Sequence, residues 1–404
     1  MTNRARKPIR IAVVGASKRG VGMAHRLTQH APAIVVGAAD PDPAAREDAR
    51  NRLGEDVVVA ECDEALYSQT DCDAVIIASG DPYHVENALA ALDRGKDIFL
   101  EKPVAQEMEG LRQIVEAWRR SDCVLMVGLE LRQCSVFQKM REWLDANAIG
   151  RVLMGMAFDN VSVGGRYFYH NHYRKRAYTR SLILQKGTHT IDLLNWFMDA
   201  RPVRSFCTGG MNVFGADPAA EGRRCRDCPQ AATCPHVIKN QQLFMDYGER
   251  KKFDDLCVYA PGADVSDNSM VLVDYANGSR AFYGECHFTP EYTREFTLIG
   301  DQGKMTGFFN NECEFKVTVQ RVDSPTEMRV SRPRPTMDGG HGGSDTLALI
   351  EFARRVRERD RCEGEFWQIV EGAALSIAAA DSEESEQPVP VPDFRNVSDS
   401  ASQR

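Results

Sequence analysis

Apolar positions in the first third of the chain come as short continuous runs, each followed by a stretch with helical spacing. The runs cover 9–14, 34–39, 74–78, 98–100 and 124–127. Runs this short, apolar on both sides, predict strands buried within a parallel sheet. The intervening spacing predicts helices over 21–29, 63–68, 85–92 and 111–121. Alternation of the two predicts an α/β doubly wound sheet whose ligand crevice lies at the C-terminal strand ends. The rhythm then changes. Helices are predicted over 136–147, 182–196, 346–357 and 370–383, with a strand at 152–158. Strict alternation at 269–275, 279–285 and 295–299 predicts an antiparallel sheet, and Asn277-Gly278 marks a hairpin.

Composition narrows the class. With 404 residues, 43% hydrophobic and 27% charged, the chain has the make-up of a globular protein of two domains. A net charge of −8 argues against nucleic acid or an anionic membrane as partner, and no apolar run is long enough to span a bilayer. The basic start, 1–8, meets a strand and a glycine turn instead of an apolar signal segment, so a cytoplasmic location is expected. Twelve cysteines in that setting point to buried thiols or a metal before disulfides.

The first strand runs into Gly15-Ala16-Ser17-Lys18-Arg19-Gly20, a dinucleotide-binding turn with serine in place of the middle glycine. Gly15 permits the tight turn, Gly20 permits close packing of helix on strand, and a pyrophosphate would meet the helix N-terminus. Asp40, at the end of the next strand, is placed to hold ribose hydroxyls. It therefore favours NAD over NADP, a preference that Lys18 and Arg19 soften. Gly95 stops a helix, and 98–100 leads to Glu101-Lys102-Pro103. Alone, that tripeptide reads as a solvated ion pair; at the end of a parallel strand it faces the crevice. Further on, His189 and Asp192 share one face of the 182–196 helix, with Gln185 and Lys186 one turn back. His189 has the chemistry of a general base.

Gly15 to Gly20, Asp40, Ser79-Gly-Asp-Pro-Tyr-His84, Gly95-Lys96, Glu101-Lys102-Pro103, Ile149-Gly150 and Gly187-Thr-His189-Thr-Ile-Asp192 together resemble the Gfo/Idh/MocA oxidoreductases. The resemblance covers nearly the whole chain. It implies a Rossmann domain over 8–129 and an α+β domain over 130–386, with a large, mostly antiparallel open sheet that often forms an oligomer interface. A homo-oligomer, dimer or tetramer, is therefore expected. It also implies NAD(P)-dependent hydride transfer to or from a sugar or cyclitol hydroxyl. Lys102 would stand between nicotinamide and substrate, Ser79, His84 and Glu101 would belong to the cofactor side, and Tyr173 and Arg174 to a loop over the cleft. Many relatives have aspartate four positions before the histidine, acting with lysine and histidine. Here that position is Gln185, which cannot be a base, so the acid–base work falls to Lys102 and His189. Two alternatives remain open: a redox-neutral lyase or glycosidase with tightly held NAD, and a silent NAD-binding sensor.

Three features lie outside this frame. Cys225-x2-Cys228-x5-Cys234, within an insertion near 222–258, suits structural zinc, with Cys257 or His236 as fourth ligand. His341, flanked by glycines, is expected to close over substrate, with Asp345 capping the following helix. The tail, 387–404, is expected to be disordered towards its end.

Overall fold

The computed structural model describes residues 7–238, 255–337 and 340–396. Its first unit alternates β1 (Ile9–Val14), α1 (Lys18–His30), β2 (Ala33–Ala39), α2 (Pro43–Leu53), β3 (Val58–Ala60), α3 (Asp63–Gln69), β4 (Ala74–Ile77), α4 (His84–Asp93), β5 (Asp97–Leu100), α5 (Met108–Arg120) and β6 (Leu125–Val127). All six strands are parallel in the order β3-β2-β1-β4-β5-β6, so the order reverses between β1 and β4. A reversal of this kind is where open α/β sheets bind ligands.

Two helices differ from expectation for local reasons. Helix α1 starts at Lys18, because Gly20 is already helical and a Cβ there would lie 2.3 Å from the Gly15 carbonyl oxygen. Asp42-Pro43 starts helix α2, which the sequence did not predict. Asp42 accepts from the Ala44 N–H at 2.8 Å and Pro43 fills the first helical position. Helix α2 buries only Ala45 and Ala49, so it carried no apolar periodicity to read.

The second unit contains α6 (Ser135–Asp145), β7 (Val152–Val161), the single turn α7 (Arg176–Thr179), α8 (Thr188–Met198) and β8 (Pro202–Gly210). After the insertion come β9 (Asn268–Tyr275), β10 (Arg280–Cys286), β11 (Tyr292–Gly300), β12 (Gly303–Asn310), β13 (Lys316–Arg321) and β14 (Met328–Ser331). Helices α9 (Ser344–Glu358) and α10 (Glu363–Ser385) and the short β15 (Val389–Pro390) complete the chain. The nine strands run β14-β13-β12-β11-β7-β10-β9-β8-β15, all antiparallel except β7 with β10. The hairpin at Asn277-Gly278 joins β9 to β10, with Gly278 at φ +82°.

The first part of the tail is ordered. β15 pairs with β8, and Val391 and Phe394 are buried; 397–404 lie outside the described residues. One face of the large sheet is covered by α8 and the alanine-rich α10, whose Ala373, Ala374 and Ile377–Ala380 are buried. Small side chains let this helix approach closely. Trp118 of α5 stacks on Phe366 of α10 and ties the two units together. Helix α9 returns to the first unit, where Phe352 meets Phe99 of β5 edge to face at 5.6 Å.

Candidate active site

The nucleotide end of the crevice is shaped by glycine. Gly15 has φ +88°, and a Cβ on it would lie 2.3 Å from the Ser79 nitrogen. No other residue fits that contact. Ser17, the N-cap of α1, is buried, and its hydroxyl has no partner. A buried donor without a partner, at a helix N-terminus that carries no acidic residue in its first turn, fits the pyrophosphate of a dinucleotide. Gly15, Ala16, Ser17 and Gly20 would hold it. Asp40 follows β2 and accepts from the Asp42 N–H at 3.0 Å. Lys18 is exposed at the mouth of the turn.

Arg19 turns inward. Its guanidinium donates to Glu101 (Nε, 2.9 Å) and to Asp345 of α9 (2.8 Å), so Glu101 is engaged by Arg19. Ser79 donates to Asn87 at 2.8 Å. His84, expected on the cofactor side, is fully buried. Its ring nitrogens lie 2.6 Å from the Pro103 carbonyl and 3.2 Å from that of Ser79. It braces the loops after β4 and β5 and leaves no ring atom for a ligand.

Lys102 follows β5 and reaches Gln185. It donates to the Gln185 main-chain carbonyl at 2.6 Å and also to its side-chain oxygen. Gln185 is not on a regular helix as expected; it lies in a wide π-type turn, Ile183–Gly187, ahead of α8. Such turns concentrate at functional sites because they re-aim side chains. Burial lowers the Lys102 amine from its ordinary range, while the carboxylates of Asp81, Glu101 and Glu130 oppose that fall.

His189, in the first turn of α8, is 6% exposed; its Nδ1 has no partner and its Nε2 lies 3.9 Å from Glu130. Burial holds its pKa well below the usual histidine value, and the charges of Lys102, Arg294, His341 and Lys186 add to this. It is a neutral imidazole, fit to accept a proton. His341, at φ +52°, faces Asp345 (3.1 Å) and Glu130 (3.3 Å) through Nδ1. Burial alone would lower its pKa; the bond to Asp345 and the two carboxylate charges outweigh this and raise it. Asp345 therefore serves His341 and Arg19 and is not the helix cap, which is Gly343.

Two expected site residues are spent elsewhere. Asp192 is 2% exposed and accepts twice from Arg132, at 2.7 and 2.8 Å. Arg174 is fully buried and donates to the main-chain carbonyls of Tyr169, Cys257 and Ala260. It pins the loop to the insertion and does not reach into the cleft. Tyr173 stacks on Tyr167, with ring centroids 6.0 Å apart. Tyr167, 41% exposed and within the fields of Arg19, Glu101 and Asp81, is the residue of that loop that looks onto the cleft.

Sequence reading also missed Asp81, Glu130, Tyr292 and Arg294. Tyr292 lies between Lys186 and Arg294, 5.2 and 5.5 Å from its ring centre. Burial would raise its phenol; Arg294, Lys186 and His341 outweigh it and bring it down to about 8. Asp159 beneath accepts from Thr190 and pairs with Lys186 and Arg294. Asp81 lies within the Ser79–His84 stretch, but the sequence assigns it no role there; Glu130, Tyr292 and Arg294 fall in no short motif, and Tyr292 and Arg294 reach the site because β11 packs on β7 beside α8.

Among the described residues, only Glu130, His341 and Asp345 form a His/Cys/Asp/Glu group with ligand atoms within 4.8 Å of one another. With Arg19 on Asp345 and the cations around His189, that cluster is already compensated in charge. The cysteines lie on the insertion as free, half-buried thiols. A two-residue antiparallel pairing sets Cys225 and Cys257 on adjacent segments (Cys225 N–H to Asp255 O and Cys257 N–H to Arg223 O, both 2.8 Å).

Residues 9–129 match the family described as "Oxidoreductase family, NAD-binding Rossmann fold", and residues 137–306 match the "GFO/IDH/MocA C-terminal domain". The putative oxidoreductase YteT of Bacillus subtilis (strain 168) is 24% identical over 350 residues, 79% of this chain and 81% of that protein. Inositol 2-dehydrogenase 3 of Saccharopolyspora erythraea is 30% identical over 194 residues; that match spans 47% of this chain and about half, 54%, of the dehydrogenase. A levoglucosan dehydrogenase in complex with NADH and levoglucosan shares the fold at a TM-score of 0.73, with 17% identity, covering 96% of this chain and all of that one.

Proposed function

Starting from the chain's membership of the Gfo/Idh/MocA oxidoreductase family, we propose that it oxidises a hydroxyl of a sugar, glycoside or cyclitol with NAD. NAD, when bound, supplies the hydride acceptor. The chain supplies the rest. Lys102, fixed on Gln185, holds the substrate oxygen. His189 takes the hydroxyl proton, and Glu130 stands behind its ring to stabilise the charge that arrives. Tyr167 and Tyr292 offer aromatic faces to a sugar ring, and His341 offers a donor from the opposite side.

The observation that carries this reading is a buried, neutral His189 with a free ring nitrogen beside a half-buried Lys102 whose amine is directed by the Gln185 turn. A panel of cyclitols and glycosides assayed with NAD tests it. NADH is expected to appear in step with oxidised product. Lys102→Met and His189→Ala should each lower kcat by about a hundredfold or more, with NAD affinity little changed. Full activity in both variants removes them from the mechanism. Product without net NADH would instead indicate a redox-neutral lyase.

Asp40 favours NAD over NADP, since a carboxylate at the ribose repels a 2′-phosphate. The protein acts as a cytoplasmic homo-oligomer. The C-x2-C spacing carries a proposal of structural zinc on the insertion: Cys225, Cys228, Cys234 and Cys257 are free thiols that would have to draw together around the ion, since among the described residues no three of their sulfurs lie within 4.8 Å of one another. Elemental analysis should return about one zinc per chain. Zinc-free protein with four freely titrating thiols overturns that assignment.

A further inference from the structure

Lys102 is held by Gln185, and Gln185 is held in turn by Asp81. The Gln185 amide nitrogen lies 3.2 and 3.1 Å from the two Asp81 carboxylate oxygens, while its oxygen accepts from Lys102. A carboxamide has one acceptor end and one donor end. With the donor end fixed on a carboxylate, the acceptor end has to face the ammonium group. Asp81 is 7% exposed and also accepts from Thr179 Oγ1 at 3.3 Å. Both its oxygens thus act as acceptors, as those of an ionised carboxylate do.

We propose that Asp81 is a positioning residue for this reaction. Acting through the Gln185 amide, it aims the acceptor at Lys102 and supplies the negative charge that keeps the amine protonated. The inference rests on the reading of Lys102 as the group that holds the substrate oxygen. Lys102 faces Asp81, Glu101, Glu130, Arg19 and His189; Asp81 faces His84, Lys102 and Tyr167. Glu101 is paired with Arg19, and Glu130 with His341. Among the described residues Asp81 makes no direct ion pair, so its charge reaches Lys102 across one neutral amide. Burial raises the Asp81 carboxyl, and His84, Lys102, Gln185 and Thr179 oppose that rise.

The test titrates the Lys102 amine by competitive acetylation across pH, read by mass spectrometry, in wild type, Asp81→Asn and Asp81→Asn/Gln185→Glu. In the single variant the Lys102 midpoint should fall by about one pH unit or more. In the double variant, which sets a carboxylate directly on Lys102, it should return. With an oxidised polyol in hand, kcat should drop about tenfold in the single variant, with KM for NAD unchanged and the alkaline limb moved to lower pH. Both should recover in the double variant. An unchanged Lys102 midpoint in Asp81→Asn overturns the proposal, and so does a double variant that fails to restore it. Should Asp81→Asn not fold, Gln185→Met cuts the same link. Its Lys102 midpoint must also fall, and an unmoved one overturns the proposal. The labelling needs no turnover, so a failure to oxidise any polyol counts against the dehydrogenase reading alone.

Discussion

At the scale of single residues, chemistry depends on which charges are spent. His189 is buried neutral, so its proton-accepting form persists below the usual histidine pKa of 6.5. The acid limb of kcat/KM should therefore fall below that pH, which a pH–rate profile checks. The same burial affects stability. Its folded pKa is depressed, so below pH 6.5 the unfolded chain takes up a proton that the native chain refuses. Stability contributed above the unfolded value is lost as pH falls, and unfolding measured from pH 7 to 5 should show less of that loss in His189→Gln. Asp192 makes the opposite case. Its spacing from His189 suggested catalysis, yet both its oxygens are taken by Arg132 within the protein. Breaking a buried pair costs about 3–5 kcal/mol. Asp192→Ala should lower the urea midpoint accordingly, while folded enzyme keeps its NAD affinity. Sequence motifs pointed to Lys102, Gln185 and His189, and the fold brings the three together. The motifs could not tell which of His84, Arg174 and Asp192 had their polar atoms consumed by the interior, since that is decided by partners far along the chain.

At the scale of elements, most strands of the first sheet and the β9–β10 hairpin were legible from their apolar runs and alternation, whereas β3, β8, β12 and β13 went unread although each has buried positions. Helix α2 was not legible, since it buries two alanines, and neither was β14, which leaves Met328 and Val330 in the open. The wide turn before α8 was invisible because a π-type turn alters hydrogen bonding without altering composition. The turn between β1 and α1 was legible because glycine there is a steric necessity. Gly15→Ala would force a Cβ to 2.3 Å from the backbone of Ser79 at a positive φ. It should abolish NADH binding, which nucleotide fluorescence quenching would report. It should also cost roughly 1–3 kcal/mol in backbone strain.

At the scale of the whole molecule, the outer face of the large sheet carries Met154, Met156, Met270 and Leu272 in the open. Pairing through the register Leu272–Phe282–Met156 makes them one band. A band of this kind on a sheet otherwise covered on one side fits a second copy of the chain. Light scattering should give a mass above 45.1 kDa, and Leu272→Glu with Met156→Glu should reduce it to the monomer while NAD still binds. The other uncovered edge of the architecture is internal. Ile11, Val13, Leu27, Ile76 and Phe99 of the first unit share their cluster with Ala348, Leu349, Phe352 and Ala353 of α9. The sheet that opens the sequence is thus sealed by a helix more than two hundred residues later. On the ribosome, the nucleotide-binding unit emerges early but must wait, with part of its apolar surface uncovered, until α9 has been made. That interval exposes the nascent enzyme to aggregation and chaperone capture, and a fragment ending at residue 129 should be recovered from cells only in association with holdases or in the insoluble fraction.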